Sequence, residues 1–198
     1  MDKELIKELI IKNQRFVSSV QLLPRPLTLE SSCNYVFIGL RRAGKSYMLF
    51  QHIQQLIADG KTRQEDILYV NFEDERISMI KAEELNIFIE CFNELYDARP
   101  LILLDEIQNI VGWEKFVRRL ADEKYRVFVT GSNAKMLSSE IYTTLGGRFL
   151  AKEIFPFTFS EYLMSHGITI SYQTDSGCGE VYRHNHFLQH IHRLSPPS

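Results

Sequence analysis

The chain has 198 residues, 44% of them hydrophobic and 24% charged, with 23 Lys and Arg against 25 Asp and Glu. This length and apolar fraction suit one domain with a sizeable core and exclude wholesale disorder. The net charge of −2 excludes tight electrostatic binding of nucleic acid by the whole surface. No apolar run approaches the ~20 residues that cross a bilayer, and three cysteines are too few for a disulfide framework. We therefore expect a reducing, cytoplasmic location and no membrane contact.

The first 30 residues have their own pattern. Leu5, Ile6, Leu9 and Ile10 recur at helical spacing. The sequence Leu-Pro-Arg-Pro at 23–26 then ends the helix, because proline lacks an N–H and restricts the residue before it. We expect residues 1–30 to form an amphipathic helix and a linker.

Short apolar runs then alternate with longer segments of helical periodicity. Continuous apolar runs of this length are typical of strands buried on both faces of a parallel sheet. They lie at residues 35–38, 67–70, 101–104, 127–129 and, more weakly, 149–151. Segments 48–57, 85–95 and 113–120 carry apolar stripes at helical spacing. This alternation predicts an α/β fold with helices on both faces of the sheet.

The first run leads into a phosphate-loop motif, G-x-x-x-x-G-K-[ST], at residues 39–46. Its glycines let successive backbone N–H groups point into one concavity, and the following helix adds its positive end. Lys45 supplies a charge for the β- and γ-phosphates, and the Ser46 hydroxyl can ligate Mg²⁺. The expected nucleotide-binding residues are Gly39, Leu40, Arg41, Arg42, Ala43, Gly44, Lys45, Ser46 and Tyr47.

The run at 101–104 ends in the acidic pair Asp105 and Glu106. At the carboxyl end of a buried strand, Asp105 can hold the metal and its water shell, and Glu106 can act as the base that activates water. Two solvated carboxylates are the alternative. Because Asp105 alone would suffice for a binding switch, the presence of Glu106 favours hydrolysis.

Three further positions carry open alternatives. Asn133, or as a second choice Ser132, could orient the lytic water or touch the γ-phosphate, or could instead cap a helix. Arg148, after two glycines, could be an arginine finger in the same subunit or in a neighbouring one, or a salt-bridge donor. Arg41 and Arg42 could face the nucleotide or a partner, or could be solvated or paired with an acid.

The ordered set GLRRAGKS, YVNFEDER, LILLDEIQN, VFVTGSN, LGGRF and EIFPFTFSEYL resembles a group of prokaryotic AAA-type ATPases of the AAA+ superfamily. The resemblance covers residues 36–164. It implies a P-loop NTPase three-layer αβα sandwich over residues 31–165, with a mostly parallel five-stranded sheet in the order 5-1-4-3-2. It also implies adenine as the base, Asn133 as a sensor and Arg148 as the family's conserved arginine.

The resemblance stops before the end of the chain. Members of that group continue with a C-terminal domain of largely unknown function, whereas residues 166–198 form an atypical tail. We expect this tail to be disordered or a remnant, as a truncation, a frameshifted gene or a divergent short form would leave it.

The sequence predicts an ATP-binding protein that hydrolyses ATP to ADP and phosphate with Mg²⁺, coupled to an unknown protein partner or process. The alternatives are a nucleotide-gated interaction switch with negligible turnover and a small-molecule kinase. A homo-oligomer is one candidate assembly. A modest basic face at Lys115, Arg118, Arg119 and Lys124 admits nucleic-acid contact, although a solvated helix face is the favoured reading.

Overall fold

The computed structural model describes residues 2–30, 32–132, 143–165 and 168. Five helices and five strands are named below in chain order. They are α1 (Lys3–Ser19), β1 (Asn34–Gly39), α2 (Lys45–Ala58), β2 (Ile67–Asn71), α3 (Asn86–Leu95), β3 (Leu101–Asp105), α4 (Trp113–Asp122), β4 (Arg126–Ser132), β5 (Phe149–Glu153) and α5 (Phe159–Ser165). The tail that follows lies outside the described residues, apart from Ile168.

The five strands form one sheet in the order β2-β3-β4-β1-β5. Every neighbouring pair is parallel. Read from the other edge, this is the order 5-1-4-3-2, so the predicted α/β class and strand order are confirmed. β2 lies at one edge, beside β3, and β1 lies between β4 and β5.

Helices cover both faces of the sheet, because side chains alternate between the faces along each strand. Val36 and Ile38 of β1 belong to an apolar cluster that includes residues of α1, α3 and α4. Tyr35 and Phe37, which point the other way, belong to a second cluster formed with α2 and the end of α1. The sheet is therefore the middle layer of a sandwich.

The last strand departs from the prediction that all five are buried on both faces. In β5 only Phe149 is buried, and Leu150 is 43% exposed. β5 is an edge strand that pairs only with β1 in the described part of the chain. The other edge strand, β2, is buried because α1 packs against it, so edge position permits exposure without requiring it.

Among the residues that the structure describes, no helix is both long enough and apolar enough to cross a bilayer.

Candidate nucleotide-binding site

The phosphate loop connects β1 to α2 at the carboxyl edge of the sheet. Gly39 ends the strand, and Gly44 precedes the helix with a φ of 90°, a conformation that glycine adopts without steric cost. The Ala43 N–H donates to the Leu40 carbonyl over 3.1 Å, which closes the turn. At Gly39 the backbone approaches another segment so closely that a Cβ would lie 2.2 Å from the Ile154 carbonyl oxygen.

Lys45 is buried at the first position of α2, with its ammonium inside the loop. The Nζ atom donates to the carbonyl oxygens of Gly39 (3.3 Å) and Leu40 (3.2 Å). It also lies 3.3 Å from Oε1 of Glu106, so the two residues are ion-paired. Lys45 thus links the phosphate loop to the residue that follows β3.

Asp105 is a buried carboxylate that accepts three hydroxyl hydrogen bonds. Ser46 donates to its Oδ1 over 2.9 Å, Thr130 donates to the same oxygen, and Tyr69 donates to Oδ2 over 2.8 Å. The pKa of Asp105 is raised, because the effect of burial exceeds that of the three hydrogen bonds, which lower it. Burial, with the neighbouring Asp105, also raises the pKa of Tyr69, so Tyr69 stays a neutral donor.

Glu106 turns out of the strand because its backbone is left-handed, with a φ of 52°. Its N–H donates to Oγ1 of Thr130 over 2.9 Å. Gln108 Nε2 donates to Glu106 Oε2 over 2.5 Å, while Oε1 faces Lys45. Both carboxylate oxygens therefore have a fixed partner, and the side chain is held at the loop.

The groups of Ser46 and Asp105 that could bind a metal are a hydroxyl and a carboxylate, and oxygen atoms are the ligands that Mg²⁺ prefers. One carboxylate and one hydroxyl 2.9 Å apart suit an ion that keeps several waters and takes the rest of its shell from phosphate oxygens. Across the described ranges, no group of three or more His, Cys, Asp or Glu side chains could hold a metal by itself. These residues fit a metal that binds with its nucleotide.

Four other residues of the predicted nucleotide-binding set have side chains exposed to solvent. The Arg41 side chain is 83% exposed and pairs with Glu73 over 3.2 Å, which is the acid-paired arrangement considered above. Arg42 is exposed in a left-handed conformation with a φ of 63°. Leu40 and Tyr47 are also exposed.

The strand β4 ends beside the phosphate loop, since Ser132 is the register partner of Gly39. Asn133, the candidate sensor, lies outside the described residues. Thr130 and Tyr69 were missed as site residues. The available signal was one hydroxyl residue for each apolar run: Tyr69 lies within the run at 67–70, and Thr130 directly follows the run at 127–129. Only the order of the strands places both hydroxyls beside Asp105.

Arg148 lies at the other end of the sheet. It immediately precedes β5, whose first residue is in register with Asn34, so the length of β1, roughly 16 Å, separates it from the loop. Its guanidinium pairs with Asp122 and donates to the Gly146 carbonyl. This placement separates Arg148 from the phosphate loop of its own chain, so the same-subunit arginine finger does not agree with the structure.

An all-parallel sheet with this strand order, a lysine-containing loop after β1 and an acidic pair after β3 defines a P-loop NTPase. The chain belongs to the family described as AAA domain, whose family model matches residues 33–163. This confirms the predicted AAA-type class.

Two relatives are similar over most of this chain. The Uncharacterized protein MJ1544 of Methanocaldococcus jannaschii is 39% identical over 163 residues, which are 81% of this chain and 35% of that protein. An Uncharacterized protein of Haemophilus influenzae is 36% identical over 135 residues, 67% of this chain and 34% of that protein. The chain thus spans about one third of the length of these relatives. Among solved structures, PCH-2 of C. elegans is 14% identical with a TM-score of 0.44, over 88% of this chain and 50% of that one.

Proposed function

We propose that this chain is a Mg²⁺-dependent ATPase domain, placed at residues 31–165, that converts ATP to ADP and phosphate. The observation that carries the proposal is the meeting of Lys45, Ser46, Asp105 and Glu106 at one edge of the sheet. A phosphate-binding ammonium, an oxygen pair for a metal and a carboxylate able to take a proton are the groups that hydrolysis of a phosphoanhydride requires.

Each residue has a defined part in the reaction. The Lys45 ammonium and the loop N–H groups stabilise negative charge on the β- and γ-phosphates. The Ser46 hydroxyl and the Asp105 carboxylate, 2.9 Å apart, would hold Mg²⁺ and its water shell. When bound, Mg²⁺ neutralises charge on the phosphate oxygens. Glu106 accepts a proton from the attacking water while the water oxygen forms a bond to the γ-phosphorus. The bond between that phosphorus and the β–γ bridging oxygen breaks, which gives ADP and phosphate.

Steady-state phosphate release tests this proposal. The full chain is assayed with Mg²⁺–ATP beside Glu106→Gln, which keeps the shape of the side chain and removes the base. Glu83→Gln, at an exposed position in the short 3₁₀ helix Ala82–Glu84, is the matched control. We expect Glu106→Gln to bind ATP and to lose turnover by about a hundredfold or more, and Glu83→Gln to match the wild type. Unchanged turnover in Glu106→Gln would remove Glu106 as the base.

The ion pair between Lys45 and Glu106 supports a second candidate, a nucleotide-gated switch. If phosphates draw Lys45 away, Glu106 is released and the turn that follows β3 can change partners. Product analysis distinguishes the candidates: free phosphate for the ATPase, a phosphorylated acceptor for a kinase, and neither for the switch despite measurable ATP binding.

The position of Arg148 supports an assembly in which it acts on the nucleotide of a neighbouring copy, because it is remote from the loop of its own chain. We propose such a homo-oligomer in a reducing cytoplasm, with an unknown protein partner. Specific activity should then rise with protein concentration and be lost in Arg148→Ala. Arg118→Ala, which removes another arginine that pairs with Asp122, is the control. Activity independent of concentration and of Arg148 would contradict the assembly.

A further inference from the structure

Arg25 lies in the linker between α1 and β1, and its side chain is only 12% exposed. Its backbone is tied to α2 by two hydrogen bonds: its N–H donates to Gln51 Oε1 over 2.8 Å, and its carbonyl accepts from Gln51 Nε2 over 2.7 Å. The linker is thereby fixed along the helix that begins at the phosphate loop. The guanidinium of Arg25 then reaches the phosphate loop.

One contact of the guanidinium is with the phosphate loop itself. Nη1 of Arg25 donates to the Ala43 carbonyl oxygen over 3.2 Å. This oxygen belongs to the same planar peptide group as the Gly44 N–H, and in a trans peptide the two point in opposite directions. Holding the Ala43 carbonyl therefore fixes the direction of the Gly44 N–H, which is one of the loop N–H groups that can bind phosphate oxygens.

The proximity of Arg25 to Gly44 supports the same geometry. A Cβ built on Gly44 would lie 3.6 Å from Nη1 of Arg25, which is the only atom within 4 Å among the described residues when the chain neighbours of Gly44 are left out. The guanidinium thus packs on the peptide between Ala43 and Gly44. Gly44 has a φ of 90°, and glycine adopts many backbone conformations at little steric cost. The orientation of its peptide group is therefore determined by neighbouring contacts such as that with Arg25.

The remaining contacts of Arg25 come from the segment that follows β5. Nε donates to Glu161 Oε1 of α5 over 2.8 Å, and Nη2 donates to the Phe155 carbonyl over 3.0 Å. The guanidinium carbon lies 4.9 Å from the centre of the Phe157 ring. Glu161 is itself fixed, because its Oε2 accepts from the N–H (2.7 Å) and the hydroxyl (3.0 Å) of Thr158.

We propose that Arg25, held by Glu161, is a positioning residue that orients the peptide between Ala43 and Gly44 for phosphate binding and links the loop to α5. The inference deepens the proposed function, since it rests on the phosphate loop being a nucleotide site. It assigns a role to the linker and to α5, two segments outside the motif that defines the loop.

The test measures ADP affinity and the Gly44 backbone amide signal. The variants are Arg25→Ala, Arg25→Lys and Glu161→Gln, with Arg63→Ala as the control because Arg63 pairs with Asp66 at an exposed site. Affinity is measured well below the unfolding temperature, so that lost stability alone does not change it. The Gly44 amide shift in nucleotide-free protein reports the peptide orientation directly.

We expect Arg25→Ala to weaken ADP binding by about tenfold or more, the change that loss of one charged hydrogen bond produces. Arg25→Lys should recover part of the affinity, and Glu161→Gln should weaken it by about threefold. All three should shift the Gly44 amide, and Arg63→Ala should change neither quantity. Should Arg25→Ala fail to fold, Glu161→Gln carries the test.

Three outcomes are distinguishable. If the wild type and Glu161→Gln bind ADP equally and the Gly44 signal is unmoved, the positioning role is overturned while the proposed nucleotide site stands. If the variants only lower the unfolding temperature, Arg25 is a structural link, and the role is again overturned. If the wild type itself binds no ADP, the proposed function fails and the inference fails with it.

Discussion

The Lys45 ammonium and the Glu106 carboxylate are ion-paired across 3.3 Å, so the candidate phosphate-binding group and the candidate base neutralise one another. Each is mostly buried, and a buried charge without a partner is costly. Phosphates entering the loop give Lys45 a new anionic partner. Oε1 of Glu106 can then face water while Oε2 keeps its hydrogen bond from Gln108, so nucleotide binding and activation of the base are connected through one ion pair.

Lys45→Ala should abolish nucleotide binding, with ADP affinity lower by about a hundredfold or more, because it removes the charge that faces the β-phosphate. The measurement is an ADP titration. Lys61→Ala is the matched control, since Lys61 pairs with Asp59 at an exposed site. ADP affinity within threefold of the wild type in Lys45→Ala would show that the loop does not bind phosphate in the assigned way.

Tyr69→Phe should weaken the metal site, because it deletes the 2.8 Å hydrogen bond to Oδ2 of Asp105. That bond lowers the pKa of a carboxyl whose burial raises it, so its loss favours the protonated form. We expect the Mg²⁺ concentration at half-maximal activity to rise by about three- to tenfold, and the free energy of unfolding to fall by about 1–2 kcal/mol.

Tyr96→Phe is the control for this substitution. Tyr96 also donates a 2.8 Å hydrogen bond, to Oε1 of Gln14, but lies away from the loop. It should lose similar stability in a denaturant titration and leave the Mg²⁺ dependence as in the wild type. An unchanged Mg²⁺ dependence in Tyr69→Phe would mean that Tyr69 supports folding only.

The extent to which the sequence predicts this site depends on the distance along the chain between the residues concerned. Lys45, Ser46, Asp105 and Glu106 were predicted because each belongs to a local motif whose spacing reflects its chemistry. The strand order came from a resemblance, and it is confirmed. The contact of Arg25 with Ala43 could not be predicted, because it depends on where the linker and α5 pack, and no local spacing encodes that.

Arg148 illustrates the same limit. The motif Gly-Gly-Arg indicates an arginine with a specific conformation, but not the end of the sheet at which it lies. Register alone decides this, since Phe149 pairs with Asn34 at the start of β1. Likewise, the weaker apolar pattern of β5 was visible in the sequence, but the exposure of its residues after Phe149 depends on what packs against this edge of the sheet, which local spacing does not encode.

Gly39→Ala should destabilise the fold at the joint between the loop and β5. A Cβ would lie 2.2 Å from the Ile154 carbonyl oxygen, whose residue donates its N–H to Ile38 over 2.7 Å, so backbone atoms must move. We expect a loss of about 2–4 kcal/mol in the free energy of unfolding. The measurement is urea unfolding followed by fluorescence of Trp113, the single tryptophan, which is buried.

Gly60→Ala separates this steric effect from a glycine effect. Gly60 has a φ of 68°, and a Cβ there meets no described atom within 4 Å. Its cost should be only about 1 kcal/mol, the strain of a left-handed alanine. Equal losses for the two variants would contradict the close approach of Ile154 to Gly39.

His52 should make stability depend on pH. It lies on α2 with its Nε2 3.4 Å from Nη2 of Arg126 and its ring edge-on to Phe128. Burial first, then the charges of Arg126 and Lys61, lower the pKa of His52 to about 4. Between pH 6.5 and 4, His52 is therefore protonated in the unfolded chain, where its pKa is about 6.5, and mostly neutral in the folded chain. Stability falls as the pH falls from 6.5 to 4, and this contribution does not change further below that.

His52→Gln removes the titrating group and leaves a polar partner for Arg126. We expect the wild type to lose about 1–2 kcal/mol more than the variant between about pH 7.5 and pH 4.5, a figure reduced from the full shift because the ring is partly exposed to solvent. The free energy of unfolding of both proteins is measured at the two pH values by urea unfolding, followed by Trp113 fluorescence. The change with pH in the wild type is then compared with the change in the variant. Carboxylates titrate in both proteins and cancel in the comparison. An equal change in the two proteins would mean that His52 is protonated in the folded chain as readily as in the unfolded one.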